Sequence, residues 1–403
     1  MRIMSVSAQK PHSTGSGVYL TALVRAFAAA GHEQAVVGGV YADDTVDFPE
    51  GVAWYPVTFD TPELPFPICG MSDEMPYPST RYRDMTPQMV EQWKTAFLEV
   101  LTRAVGEFNP DVILVHHLYL LAALLRETFP GAKILGLCHG TCLRQLDTNP
   151  LCREEIIEQV STLDGFFCLH EEHARRVMAT FGVSREAITI IGSGFNDGVF
   201  RRLDGVPAHE GARLAYAGKI AEKKGVLSLL RALDRVPAPE GGLSAVLAGG
   251  FNQRDRQEAE TLARACRHEV EMPGPLPQPE LARLFNRSEV FVLPSFYEGL
   301  PLVLAEAMAC GCRVVCTDLP GVRPWMDAHV PGNGIIWVKP PEMRDADTPV
   351  PESLPAFENR LAEAIGEALA RAAEESVFAP DLSAVSWDGV ALRIVARAGE
   401  LIG

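Results

Sequence analysis

The chain has 403 residues, too many for one compact core, so two domains are the default and three remain open. Apolar residues make up 47%, enough to bury a core in each half, which excludes disorder as the main state. A formal charge of −16, from 36 basic and 52 acidic residues, opposes non-specific nucleic-acid binding and weakly opposes docking on an anionic membrane.

Nine cysteines, an odd number at scattered spacings, outline no small disulfide scaffold and point to a reducing cytosol. The opening MRIMSVSAQKPHSTG lacks the apolar stretch of a signal peptide. No apolar run reaches the roughly 18 residues of a membrane span. The expectation is a soluble, cytoplasmic protein.

In chain order, 2–8 reads as a strand, followed by the glycine loop HSTGSG and a helix. That helix has Leu20, Leu23, Val24 and Phe27 at helical spacing, and Gly31 ends it. A second strand covers 35–40. From 41 to about 90 prolines, acids and aromatics crowd together, which predicts a long excursion with little regular structure. Then come a helix over 87–107, a strand over 111–116, a helix over 118–128 and strands over 133–138 and 165–169. A helix over 171–181 and a strand over 187–191 complete this half.

A second set begins with a strand over 213–217, a helix over 225–235, a strand over 243–248 and a helix over 253–267. A short strand over 269–271, a helix over 278–286 and a strand over 289–293 follow. After an apolar helix come a strand over 312–317, a turn region, a strand over 335–338 and a Pro- and acid-rich loop over 340–356. Helices over 357–376 and 387–401 end the chain. Short, apolar, unalternating strands suit parallel sheets covered by helices on both faces. The expected fold class is α/β, with two doubly wound domains joined near 196–212.

In such sheets ligands bind beyond the carboxyl ends of strands. Residues 294–315 read PSFYEGLPLVLAEAMACGCRVV, and from Gly299 to Gly311 the one charged side chain is Glu306. The free amides of Gly299, Leu300 and Leu302 at a helix start, with Pro301 in the first turn, suit an anion. A buried, unpaired Glu306 would cost several kcal/mol. Two vicinal hydroxyls, such as those of a ribose, would satisfy it. The alternative is a Glu306 bonded to nearby backbone or paired with a lysine. The loop YAGKIAEKKG, with Gly218, Lys219 and Lys224, also follows a strand of this domain, so both lysines are candidates to hold a diphosphate. Solvation of a helix start is the competing role for Lys223 and Lys224. LAGG at 247–250 would let a ligand approach closely.

GKIAEKKG, LAGG, GPLPQPELARLFNRSEVFVLPSFYEGLPLVLAEAMACGCRVV and the closing VSWDGVA together resemble the nucleotide-sugar domain of retaining glycosyltransferases of family 4. The hallmark is a Glu-x7-Glu spacing, matched by Glu298 and Glu306. The resemblance covers most of the C-terminal half and is thinner before it, in HSTGSG, CHGT and IGSGFNDGVF. It implies the GT-B fold, with two Rossmann-like domains facing across a deep cleft. Residues 1–200 would form the acceptor-side domain and 201–385 the nucleotide-sugar domain, with the helix over 386–403 packing back on the first.

What the resemblance implies can be placed residue by residue. Glu306 binds ribose hydroxyls, Glu298 contacts and positions the sugar, and Gly299 to Leu302 reach the phosphates. Lys224 meets the diphosphate, and Lys219 stands where the family usually has arginine. Gly15 to Gly17 match the N-terminal glycine loop, and His139 faces the reacting sugar. The usual Asn-Gly is Ser193-Gly194 here. The implied reaction is metal-independent transfer from a nucleotide-diphosphate sugar, UDP-sugar favoured, to a hydroxyl acceptor on the leaving-group face. The leaving phosphate takes the acceptor proton. No metal or cofactor is expected, and the partners are a nucleotide sugar and a small-molecule or glycan acceptor.

Other readings compete. Asp345-Ala-Asp347 spells a metal motif of another glycosyltransferase fold, but inside a proline-rich loop. His170-Glu-Glu-His173 departs from the zinc order and suits a surface helix start. Cys310, Cys312 and Cys316, like Cys138, Cys142 and Cys152, suit packing. His116 and His117 close a strand and are acceptor-side candidates. Trp54, Tyr55, Phe66, Tyr77 and Tyr82 either stack on an acceptor, cover the sheet or form a dimer contact. The functional alternatives are a sugar phosphorylase or nucleotide-sugar epimerase of the same fold, and a non-catalytic nucleotide-sugar-binding module.

Overall fold

A computed structural model describes residues 1–72, 75–206, 211–251, 253–298, 300–344, 348–374 and 378–402. The chain divides into two compact units, Met1–Gly194 with Trp387–Gly403, and Phe195–Ser386.

The first unit is built on strands β1 (Arg2–Ser7), β2 (Glu33–Val40), β3 (Ala53–Thr58), the short β4 (Cys69–Gly70) and β5 (Thr80–Arg81), β6 (Val112–His116), β7 (Ile134–Cys138), β8 (Gly165–Cys168) and β9 (Ile188–Ile190). Seven of them form one sheet in the order β3-β2-β1-β6-β7-β8-β9, and every neighbouring pair is parallel. Strand order reverses between β1 and β6, which makes the loops after those strands the natural binding edge. Its helices are α1 (Gly15–Ala29), α2 (Pro87–Phe108), α3 (Leu120–Thr128), α4 (Thr141–Thr148), α5 (Arg153–Val160), α6 (Glu171–Phe181) and the C-terminal helix Trp387–Ile402.

Alternation sorts the sheet's apolar side chains onto two faces. Met4, Val6, Ile113 and Val115 meet Trp93, Phe97 and Leu101 of α2 on one face. Ile3, Val112, Leu114 and Leu135 meet Leu23 and Phe27 of α1 on the other. Val390, Ile394 and Ala398 bring the C-terminal helix into that second cluster, and the Arg393 guanidinium donates to the Ile191 carbonyl at 2.7 Å. Helix α2 shows why the local sequence folds as it does. Thr86 caps it by accepting from the Met89 amide, Pro87 occupies its first turn, and Asn109 at φ 47° ends it.

The second unit has β10 (Ala212–Ala217), β11 (Leu243–Ala248), β12 (Glu269–Gly274), β13 (Val290–Leu293), β14 (Arg313–Thr317) and β15 (Ile336–Val338) in the order β12-β11-β10-β13-β14-β15, again parallel. Helices α7 (Val226–Leu233), α8 (Gln253–Ala265), α9 (Gln278–Asn286), α10 (Val303–Ala309), α11 (Val322–His329) and α12 (Leu354–Glu374) connect and cover it. Here the order reverses between β10 and β13. Both units therefore have the doubly wound architecture that alternating strands and helices predict.

Three expectations need correction. The excursion over 41–90 contains β3, which pairs with β2 along its whole length. Its Pro56 argues against a strand by composition, but at a sheet edge the missing N–H costs nothing. The interval between β7 and β8 holds α4 and α5, where no element is predicted. Each is eight residues long with two or three buried positions, too little for a helical period to stand out. The turn region before β15 contains α11, whose Pro324 sits in the first turn and is tolerated there.

Most of the excursion's aromatics cover the sheet. Phe66 and Tyr82 are buried, Tyr82 edge-on to Tyr119 with centroids 4.9 Å apart. Among the described residues, no helix is long and apolar enough to cross a membrane.

The loops after β10 and β13 touch through a glycine. Gly225 has φ 67°, and a Cβ there would lie 1.9 Å from the Pro294 carbonyl oxygen. A side chain would be wrong at that position for both backbone and space. Gly106, exposed within α2, has no atom within 4 Å of its would-be Cβ. Gly225→Ala should cost at least about 2 kcal/mol, whereas Gly106→Ala should stabilise by about 0.5–1 kcal/mol. Urea unfolding of the two variants beside the parent checks both signs.

Candidate active site

In the second unit the strand ends are drawn tightly together. A Cβ on Gly249, after β11, would lie 1.6 Å from the Gly218 carbonyl oxygen, so the loops after β10 and β11 run backbone against backbone. The Gly218 amide donates to the Ala248 carbonyl at 2.9 Å and that of Ile220 to the Gly250 carbonyl at 2.8 Å. The Tyr216 hydroxyl donates to the Lys219 carbonyl at 2.9 Å and fixes the turn from inside. Across the switch point, the Phe296 amide donates to the Lys223 carbonyl at 3.1 Å.

That bond and the Gly225–Pro294 contact bring Lys224 and Glu298 together. Lys224 Nζ lies 2.8 Å from Glu298 Oε1, which also accepts from the buried Ser295 hydroxyl at 2.6 Å. Oε2 of Glu298 has no hydrogen-bond partner among the described residues. Lys219 is exposed and makes no ion pair among them. Gly218 is exposed beside it. Leu300, Pro301 and Leu302 are half-buried, and the amides of Leu300 and Leu302 donate to no described residue. Gly299 lies outside the described residues.

Glu306 sits on α10, half-buried, and its carboxylate makes no hydrogen bond or ion pair among the described residues. Burial pushes its carboxyl up to about 7. The expected alternative, a Glu306 tied to backbone or lysine, is absent from these residues. Ser295 and Tyr216 escape a reading of the sequence, since neither carries a signal beyond lying three residues from a charged side chain.

In the first unit imidazoles gather at the ends of β6, β7 and β8. His116 Nδ1 lies 3.2 Å from His139 Nε2. The His117 ring is 4.7 Å from that of His139 and the Tyr19 ring 5.2 Å, edge-on. His117 has φ 75°, unusual for a non-glycine residue, and its Nδ1 reaches the Thr141 hydroxyl at 3.5 Å.

His170 and His173 stand at the start of α6, as expected, His170 as its N-cap residue, and both are half-buried near the end of β8. Their rings are 3.8 Å apart, and His173 Nε2 lies 2.6 Å from where a Cβ on Gly140 would stand. Burial, reinforced by neighbouring imidazoles, holds His116 and His173 down at about 3 and His139 well below its ordinary range. These rings are therefore neutral at physiological pH. Their sequence signal is the placement of histidines directly after successive strands.

The glycine loop after β1 opens α1. Thr14 caps the helix by accepting from the Gly17 amide at 3.1 Å. A Cβ on Gly17 would strike the Lys10 carbonyl oxygen at 2.5 Å, whereas Gly15 is exposed with no atom near its would-be Cβ. Packing thus demands Gly17, and Gly15 is left open on its outer side.

Among the described residues, no group of three or more His, Cys, Asp or Glu side chains is arranged to hold a metal ion. Asp345 and Asp347 lie outside the described residues. Cys310, Cys312 and Cys316 are buried free thiols, which fits packing.

Both halves match known families. Residues 13–198 match Glycosyltransferase Family 4, and residues 205–347 match Glycosyl transferases group 1. An uncharacterized glycosyltransferase of Methanocaldococcus jannaschii is 32% identical over 141 residues, which span 35% of each chain. A glycogen synthase of Mycobacterium tuberculosis is 26% identical over 343 residues, covering 80% of this chain and 79% of its own. The fold is similar to that of Anabaena HepE in complex with UDP, with a TM-score of 0.62 at 13% identity over 99% of this chain and 100% of that one. With both family matches falling on the two doubly wound units, the chain belongs to the family 4 glycosyltransferases of the GT-B fold.

Proposed function

We propose that the protein is a retaining glycosyltransferase that moves a sugar from a nucleotide-diphosphate sugar to a hydroxyl acceptor, with no metal taking part. The observation that carries this reading is Glu306, a half-buried carboxylate without a partner among the described residues, on the helix that follows the Lys224–Glu298 pair. Such a group is satisfied by a ligand that brings neutral donors, and vicinal ribose hydroxyls do so. Similarity to a structure holding UDP supports UDP as the nucleotide. The nine free thiols, most of them buried, support a reducing cytoplasm as the place of work.

In this reading the anomeric C–O bond breaks with its electron pair passing to the diphosphate oxygen. Positive charge develops on the sugar carbon and negative charge on the leaving group. Lys224 and Lys219 offset the second, aided by the amides of Leu300 and Leu302. The acceptor oxygen forms the new bond on the same face, and its proton passes to the leaving phosphate. No carboxylate base is needed, so Glu298 positions the sugar through its free Oε2. Its other oxygen holds Lys224 in place.

Calorimetric titration of the purified chain with UDP- and GDP-sugars, followed by a donor-hydrolysis screen, tests the proposal. Absence of binding to every nucleotide sugar would remove it. Lys224→Ala should lower kcat by about 100-fold with a smaller change in donor binding, because the charge it meets is largest in the transition state. Steady-state kinetics on the best donor reads that split.

Glu306 adds a pH signature. Ligand hydroxyls donating to it favour the ionised form, so donor affinity should rise as pH rises through about 7, and binding at about pH 6 should release a proton. Glu306→Gln should weaken binding and abolish both effects in calorimetry run in two buffers. For folding the sign is opposite. The folded carboxyl holds its proton up to about 7 against the usual 4.5, so its contribution is full below 4.5 and lost through 7. Glu306→Gln should therefore raise Tm by about 2–4 °C above neutral pH.

A further inference from the structure

His116 closes β6 directly beside Leu137 of β7, two residues before His139. This register brings the two rings nearly parallel, at an interplanar angle of 17°, with His116 Nδ1 3.2 Å from His139 Nε2. One nitrogen must donate to the other, so the proton has two possible arrangements. From this geometry we infer that His116 is a positioning residue: its Nδ1–H donates to His139 Nε2, which keeps the proton of His139 on Nδ1.

The unpartnered atoms decide between the arrangements. His116 is 1% exposed, and its Nε2 is buried with no partner among the described residues. If His116 Nδ1 accepted, Nε2 would carry a buried N–H with nothing to receive it. If His116 Nδ1 donates, Nε2 is a bare lone pair. An orphaned buried donor is the rarer and costlier of the two. A cation on His116 would satisfy neither case, since no carboxylate bonds to the ring among the described residues, and burial with neighbouring His117 holds it neutral.

His139 itself is half-buried, and its Nδ1 is not among the buried unpartnered atoms. That nitrogen therefore opens to solvent as an N–H. Tyr19 and His117 pack against the ring but offer Nε2 no hydrogen bond. Among the described residues, His116 is thus the one hydrogen-bond partner that sets the tautomer. Resting on the glycosyltransferase reading, the consequence is that His139 presents a hydrogen-bond donor to a substrate oxygen and does not act as a proton acceptor.

The test is a long-range 1H–15N spectrum of the histidine rings of the full chain near neutral pH, with His139 assigned by substitution. His139 protonated on Nδ1 is the expected result, and a proton on Nε2 overturns the inference without need of any variant at position 116. His116→Asn places an amide N–H where Nδ1 stands and should keep the wild-type tautomer. His116→Leu should populate the Nε2–H form and lower kcat about 5- to 10-fold with donor KM little changed, with the Asn variant restoring activity. A merely structural role for His116 would alter stability but leave the tautomer of His139 unmoved. If the chain transfers no sugar yet shows the Nδ1–H form, the proposed function falls and this positioning stands. If it transfers sugar with His139 in the Nε2–H form, the positioning falls and the proposed function stands.

Discussion

The close approach of Gly225 to the Pro294 carbonyl is the constraint on which the second unit's site depends. A gap too small for a methyl group lets the loops after β10 and β13 run in contact. The amide of Phe296 then reaches the Lys223 carbonyl, and the side chains that follow each meet as an ion pair. Any residue larger than glycine at 225 would push the strand ends apart. The charges at the switch point of the sheet are thus arranged by backbone packing before any side chain contributes.

The glutamate before α10 and the one on it are treated in opposite ways by the same fold. Glu298 has a lysine and a serine on one oxygen and is held as part of a structured loop. Glu306 has burial without partners among the described residues, and the fold tolerates it by raising its affinity for a proton rather than by supplying a counter-charge. A carboxyl of this kind is cheap while protonated and costly once ionised.

The first unit handles charge differently. Five imidazoles meet at the ends of three neighbouring strands, and burial keeps those with resolved shifts, His116, His139, His170 and His173, unprotonated. Neutral rings can donate and accept in fixed directions without drawing in an anion. Lysine charges and amides stand at the strand ends of the second unit, and neutral imidazoles after β6, β7 and β8 of the first.

By itself the sequence determined the alternation of strands and helices, the two parallel sheets, the loops at which chemistry-bearing residues fall, and the family. These are local: apolar periodicity, glycine at turns, and a carboxylate spacing within one loop and helix can be read without knowing what lies opposite. Tertiary structure alone decided the rest. That Lys224 holds Glu298, that Glu306 is left unpaired among the described residues, that β3 completes the sheet edge, and that His173 packs against Gly140 all depend on residues distant in the chain. Side-chain pairing and proton affinity are set by burial and by neighbours across strands, and neither is encoded in any short stretch of chain.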